Sequence, residues 1–205
     1  MALITVPSSF KVTNSSFRLI NSVSQNESPF SLRQQTYDWG GSRWEGEVTI
    51  RPYTYDETAD LRAFLARLKG RANTFLYGDP DYLVKGPRGS LAGTPLVNGA
   101  SQTGNTIIID GFTAGQSNVV RAGDYMQLGS GASSELYMVL ADADSSGAGS
   151  ATLLLNRTLI SPPSDNETPV FTNARGVFRL VDNQVEWSSN ESSVTQITLA
   201  FKEAV

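Results

Sequence analysis

Residues 43–80 read RWEGEVTI-RPYTYDETADLRAFLARLKG-RANTFLYGDP. In the first eight, Trp44, Gly46, Val48 and Ile50 alternate with Arg43, Glu45, Glu47 and Thr49. A period of two puts the first set on a buried face and the second in water, which predicts a strand. Gly46 within the buried set predicts close approach of another element. The period then changes. Leu61, Phe64, Leu65 and Leu68 fall at i, i+3, i+4 and i+7, the single apolar stripe of an amphipathic helix, and these four are read as helix core. Thr54 and Asp56 are both candidate N-caps, and Thr54-x-x-Glu57 has the form of a capping box. Acidic Asp56, Glu57 and Asp60 near the start and basic Arg67 and Lys69 near the end suit the helix dipole, with Gly70 placed as the C′ residue. Residues 74–77 then predict a second strand. No other stretch of the chain reads convincingly as a helix.

Outward from this core the pattern is β. Residues 17–23 predict a strand, 26–30 a turn and 31–37 a second, polar strand. Downstream, residues 86–94 are rich in Gly, Pro and Ser and predict a loop or linker. A β-rich block follows, with strands expected around Ile107–Ile109 and over Gly123–Gly129. The runs 136–140 and 151–155 flank the Asp142–Ser150 loop and predict a long-loop hairpin. Near the end, 178–181 and 184–187 flank Asp182-Asn183, a two-residue hairpin turn signal. Thr195–Phe201 predicts the last strand, with Ile197, Leu199 and Phe201 on one face. The composition therefore changes twice, as expected of a chain that leaves one domain, builds another and returns.

The 205 residues carry a formal charge of -4, with 40% apolar and 18% charged residues, as expected of a globular protein of one or two domains. There is no cysteine and no histidine. That excludes disulfides, thiolate metal sites, and the Ser-His-Asp, Cys-His and histidine-zinc chemistries. The N-terminus has neither a basic region nor a long apolar run, so a secretory leader is not expected. No apolar run is long enough to predict a membrane span. Mild acidity argues against tight binding of a phosphate backbone.

Several residues invite a chemical reading. Asp142-x-Asp144-x-Ser146-Gly147 starts like a calcium loop, but Leu153 stands where the twelfth-position glutamate belongs, so a solvated loop is expected and no metal. Asp124 is read as a turn residue capping backbone donors. Glu45, Glu47 and Glu186 are carboxylates near aromatics, the residue type a histidine-free glycosidase uses, but alternation puts them on solvent faces, apart from a shared cleft. Catalytic and cofactor-binding residues are therefore not expected, nor is an enzyme. Trp39, Trp44 and Trp187 are candidates for stacking on sugar rings, with core or interface as the plainer reading. The Asn-x-Ser/Thr sequences at Asn14, Asn26, Asn156, Asn166 and Asn190 carry little meaning without a leader.

One further pattern lies in the order of motifs. Arg43-Trp44 leads into a strand, then the helix Ala63–Gly70, then Phe75-x-x-Gly78-Asp79-Pro80. Next come Gly93–Gly104, Arg121–Gly129, and Phe178-Arg179-Leu180 through to Glu203-Ala204. This order, over nearly the whole chain, resembles the distal tail (Dit-like) hub proteins of long-tailed, siphovirus-type bacteriophages. The resemblance implies a mainly β fold: a tail-tube-like β-sandwich ring domain with one flanking α-helix and a long hairpin, from residues 1–85 and 176–205. An inserted small β-barrel, OB-like, would occupy 86–175. It implies a structural virion protein, a homo-hexameric ring joining tail tube protein to tail-tip hub, baseplate or fibre proteins. DNA would pass through the lumen without specific binding. A tail tube or tail-completion protein is the near alternative, and a carbohydrate-binding module at the tail tip is the alternative of another class.

Overall fold

The computed structural model describes residues 1–52, 54–189 and 195–204. The protein is mainly β, with antiparallel sheets and one long helix. In chain order the elements are β1 (Val12–Glu27), β2 (Gln34–Ile50), α1 (Tyr55–Leu68), β3 (Phe75–Tyr77), α2 (Pro80–Lys85), β4 (Gly93–Val97), β5 (Thr106–Phe112), β6 (Tyr125–Leu128), a 3-10 turn at Gly131–Ser133, β7 (Glu135–Met138), β8 (Ala151–Leu154), β9 (Gly176–Leu180), β10 (Ser188–Ser189) and β11 (Thr195–Glu203). The Asn190 sequence lies outside the described residues.

The alternation in β2 does what its period dictates. Trp44, Val48 and Ile50 are buried, while Glu47 faces water. Gly46 is tight because the Phe201 ring lies across it: a Cβ there would sit 2.6 Å from that ring. Helix α1 starts at Thr54, whose hydroxyl accepts the Glu57 N–H at 3.2 Å, so Thr54 rather than Asp56 is the cap. Leu61, Phe64, Leu65 and Leu68 are all at most 3% exposed and pack on the sheet. The helix ends where the glycine predicts, with Lys69 as C-cap and Gly70 as the C′ residue. Lys69 takes the left-handed conformation (φ 50), and Gly70 follows it at φ 60 against the backbone of Asn183.

The main sheet runs β1-β2-β11-β9-β3, with β10 paired to β11. Its core includes Trp44, Ile50, the α1 stripe, Phe75, Phe178, Ile197 and Phe201. A second core, drawn from residues 97–171, lies among β4–β8. There β4 pairs β5 and β5 pairs β8, and β8 reaches β7 through a bridge between Leu155 and Val139. β7 pairs β6, Gln127 of β6 bridges Val170, and Val97 of β4 exchanges hydrogen bonds with Asn166 and Glu167. The hydrogen-bonded path thus returns to β4, closing a circuit around the second core.

Four expectations need correction. The strands expected at 17–23 and 31–37 are parts of two much longer ones, β1 and β2, which form one hairpin. A second helix, α2, occupies the approach to the expected loop; Asp79 caps it and Pro80 supplies a φ already suited to a first helical turn. The runs around 136–140 and 151–155 meet antiparallel only at the Val139–Leu155 bridge, with the Leu140 N–H donating to the Leu154 carbonyl and the Asn156 N–H to the Met138 carbonyl, and not as a full hairpin ladder. β7 and β8 are taken by β6 and β5, and the intervening loop is drawn elsewhere by Asp142 and Asp144, which accept the Ala122 and Asn118 N–H groups. The hairpin expected at 178–187 is also absent. β9 is interior, between β11 and β3, and Asn183 at the expected turn accepts the Arg71 N–H at the end of α1.

Candidate functional site

The most distinctive surface is the far half of the β1–β2 hairpin. Near the body, Phe17 pairs with Gly46 and Leu19 with Trp44, and these positions pack on the core. Beyond them Asn21–Glu27 pairs with Gln34–Ser42, and residues 20–27 and 30–41 are all exposed. At ~3.4 Å per residue this arm projects about 24 Å. It is kinked by a register break in which Trp39, Gly40 and Gly41 stand opposite Ser22 alone. Asp38 shapes the break by accepting the Gly40 N–H at 2.8 Å, and Gly40 has φ 69, which glycine adopts without a Cβ penalty.

The arm is largely hydroxyl and amide, with Glu27, Arg33 and Asp38 as its only charges between Asn21 and Gly41. Its apolar residues are presented to solvent: Val23, Tyr37 and Trp39 along the ribbon, and at the tip Phe30 (98% exposed) and Leu32 (70%). Tyr37 and Trp39 meet edge to face at 4.5 Å. β1 is also a terminal strand of the sheet, so its outer backbone edge has no strand partner among the described residues.

A second feature is buried. Arg157 and Glu203 form a two-pronged ion pair at 2.5 and 2.6 Å. Arg157 also donates to the Leu136 and Ser42 carbonyls and lies over the Tyr137 ring. Glu203 accepts the Trp44 N–H at 3.0 Å, and the Trp44 indole N–H donates to the Leu136 carbonyl. The second core is thereby fastened to the sheet at the root of the arm. This group was not foreseen. Its one legible signal is Glu203, which continues the period of Ile197, Leu199 and Phe201 and so places a carboxylate on a core face.

The residues singled out for chemistry are not brought together. Asp124 is fully buried and accepts the N–H groups of Arg88, Gly89 and Arg121, a structural cap as expected. Asp142 and Asp144 tether their loop, and no group of three metal-ligating side chains occurs among the described residues. Glu45 is largely covered: burial pushes its carboxyl up, but Arg43 and Arg18 outweigh that and hold it below the ordinary value. Glu47 and Glu186 are exposed. Of the tryptophans, Trp44 is core, Trp39 is on the arm, and Trp187 is half exposed with Arg62 over its ring. No helix among the described residues is long and apolar enough to cross a membrane.

No protein-family model matches this chain, and a search of curated proteins finds no match either.

Proposed function

We propose that this chain is a structural ring subunit of the tail tip of a long-tailed bacteriophage, a distal tail hub protein. Six copies would join the tail tube to the baseplate or tip fibre around a channel for DNA. The ring domain would be residues 1–85 and 176–205, and the inserted 86–175 unit, read as an OB-like barrel, would lie outside. In this reading the chain has no enzymatic activity, no cofactor and no membrane insertion, and works in the virion after assembly in the host cytoplasm. The supporting observation is the arm. A two-stranded ribbon exposed on both faces is marginal alone in water, and an unpaired edge strand invites pairing. Neighbours in a ring supply partners to both. A channel wall of Ser, Thr, Asn and Gln side chains offers DNA no clustered cations to hold it. The order of motifs along the chain is the second support.

Mass measurement and electron microscopy of the purified protein test this: six-fold rings are expected. A monomer at all concentrations, with no labelling of tail tips by antibody, would exclude it. A tail tube or completion protein is separated by whether the label lies along the tail or at its tip. Glycan binding has one observation in its favour, exposed Trp39 beside Tyr37. Their edge-to-face contact makes no flat platform, and a glycan array decides the point.

A further inference from the structure

Phe30 at the arm tip is 98% exposed, and an open groove with apolar side chains in its wall lies at the opposite end of the same strand. The groove, about 620 Å³, is walled by Val6, Phe10, Leu83 and Val84 beside the first residues of β1. Val84 is 86% exposed, so the groove is open. β1 runs 16 residues from the groove to the root of the tip, about 50 Å at ~3.3 Å per residue. The hydrogen-bonded ladder of β1 and β2 holds the two apart, so a tip cannot reach the groove of its own chain.

We propose that Phe30 and Leu32 of one copy seat in the groove of the next. This rests on the ring reading and names the contact that would close the ring. Charge supports the match. Arg33 beside the tip has no ion pair among the described residues, and the groove rim carries Asp81, whose ion pair with Lys85 is exposed and weak. Glu27 at the arm end faces the complementary choice, since Arg175 on the same rim has no carboxylate partner among the described residues. Tip and groove are different surfaces, so the repeated contact closes as a ring or continues as a filament; only reciprocal arm exchange would stop it at a two-fold dimer, and a 32/84 product that ends at dimers would overturn the ring contact.

The chain has no native cysteine, so engineered thiols report cleanly. The double variant Leu32→Cys/Val84→Cys, oxidised gently, should give a ladder of covalent multimers on a denaturing gel. Either single variant should give at most dimers. A control pair, Leu32→Cys/Ile108→Cys, uses an exposed site on β5 and should give no ladder. Leu32→Asp, at an exposed position that leaves folding intact, should raise the concentration for half-assembly at least tenfold while the thermal melt of the monomer is unchanged. Rings by mass with no 32/84 ladder overturn the groove contact and leave the ring standing, as does an equal ladder from the control pair. A protein that stays monomeric throughout overturns both.

Discussion

Arg157 and Glu203 meet in a two-pronged ion pair whose side chains are only 3% and 2% exposed. The two residues are 46 positions apart: Arg157 lies between Leu155 and Leu159 of the second core, and Glu203 follows Phe201 of the first on β11. Taking two charges out of water is costly; the Leu136 and Ser42 carbonyls and the Trp44 N–H add partners that offset part of it, while the buried Arg157 Nε–H has no hydrogen-bond partner among the described residues. Removing one charge leaves the other buried and alone. Arg157→Met or Glu203→Leu should therefore cost ~3–5 kcal/mol in urea unfolding. The double variant Arg157→Met/Glu203→Leu should cost well below the sum of the singles, since no bare charge remains. Additive losses would show that the pair is not coupled.

Gly46 is held by Phe201 rather than by any special backbone angle. An added Cβ meets the Phe201 ring at 2.6 Å and Phe17 at 3.2 Å. Phe201 in turn packs edge to face on Phe75, Tyr77 and Phe178, so it has little room to yield. Gly46→Ala should cost ~1–3 kcal/mol. In a Phe201→Leu background the same change should cost measurably less, and a double-mutant cycle by chemical unfolding reads the difference.

What could be read from residue order alone follows from where the information is local. The stripe Leu61, Phe64, Leu65, Leu68 and the alternation of Trp44 to Ile50 are periodic, and period alone sets which face is buried. The Asp182-Asn183 signal misled because turn chemistry says nothing about which strand edges are already taken; β11 and β3 flank β9. Sequence pattern understates the far arm because periodicity detects a buried face, and residues 20–27 and 30–41 have none. Arg157 was invisible for another reason: its partners Ser42, Leu136 and Glu203 are scattered along the chain and meet only in the fold.

Asp124 provides three acceptor contacts in one place: one carboxylate oxygen takes the Arg88 N–H at 2.7 Å, and the other takes Gly89 at 2.9 Å and Arg121 at 2.8 Å. This ties the stretch leading into β4 to the turn before β6. Asp124→Asn turns one side of the site into a donor facing donors, at ~1–3 kcal/mol for a buried group left unsatisfied. Asp124→Ala should cost more. Hydrogen exchange should speed up at Gly89 and Arg121 in both variants while the amides of α1 stay protected; uniform loss of protection would mean the carboxylate holds the whole fold.

Glu45 gives the sheet an acid dependence whose sign can be worked out. Its carboxyl takes Arg18 at 3.1 Å from β1 and Arg43 at 2.7 Å from its own strand, and they hold it below its ordinary value of 4.5 despite the upward push of burial. A carboxylate with a lower value folded than unfolded binds fewer protons in the folded state. Its contribution is therefore full above the ordinary glutamate value and is lost as the pH falls through the folded one. Glu45→Gln removes that contribution at neutral pH. The urea midpoint of the variant should lie below that of the parent protein at pH 7, and the gap should narrow as the pH falls below the ordinary glutamate value of 4.5. A gap that stays constant over this range would mean that Arg18 and Arg43 stabilise the strand pair by packing of their stems and not through the charge of Glu45.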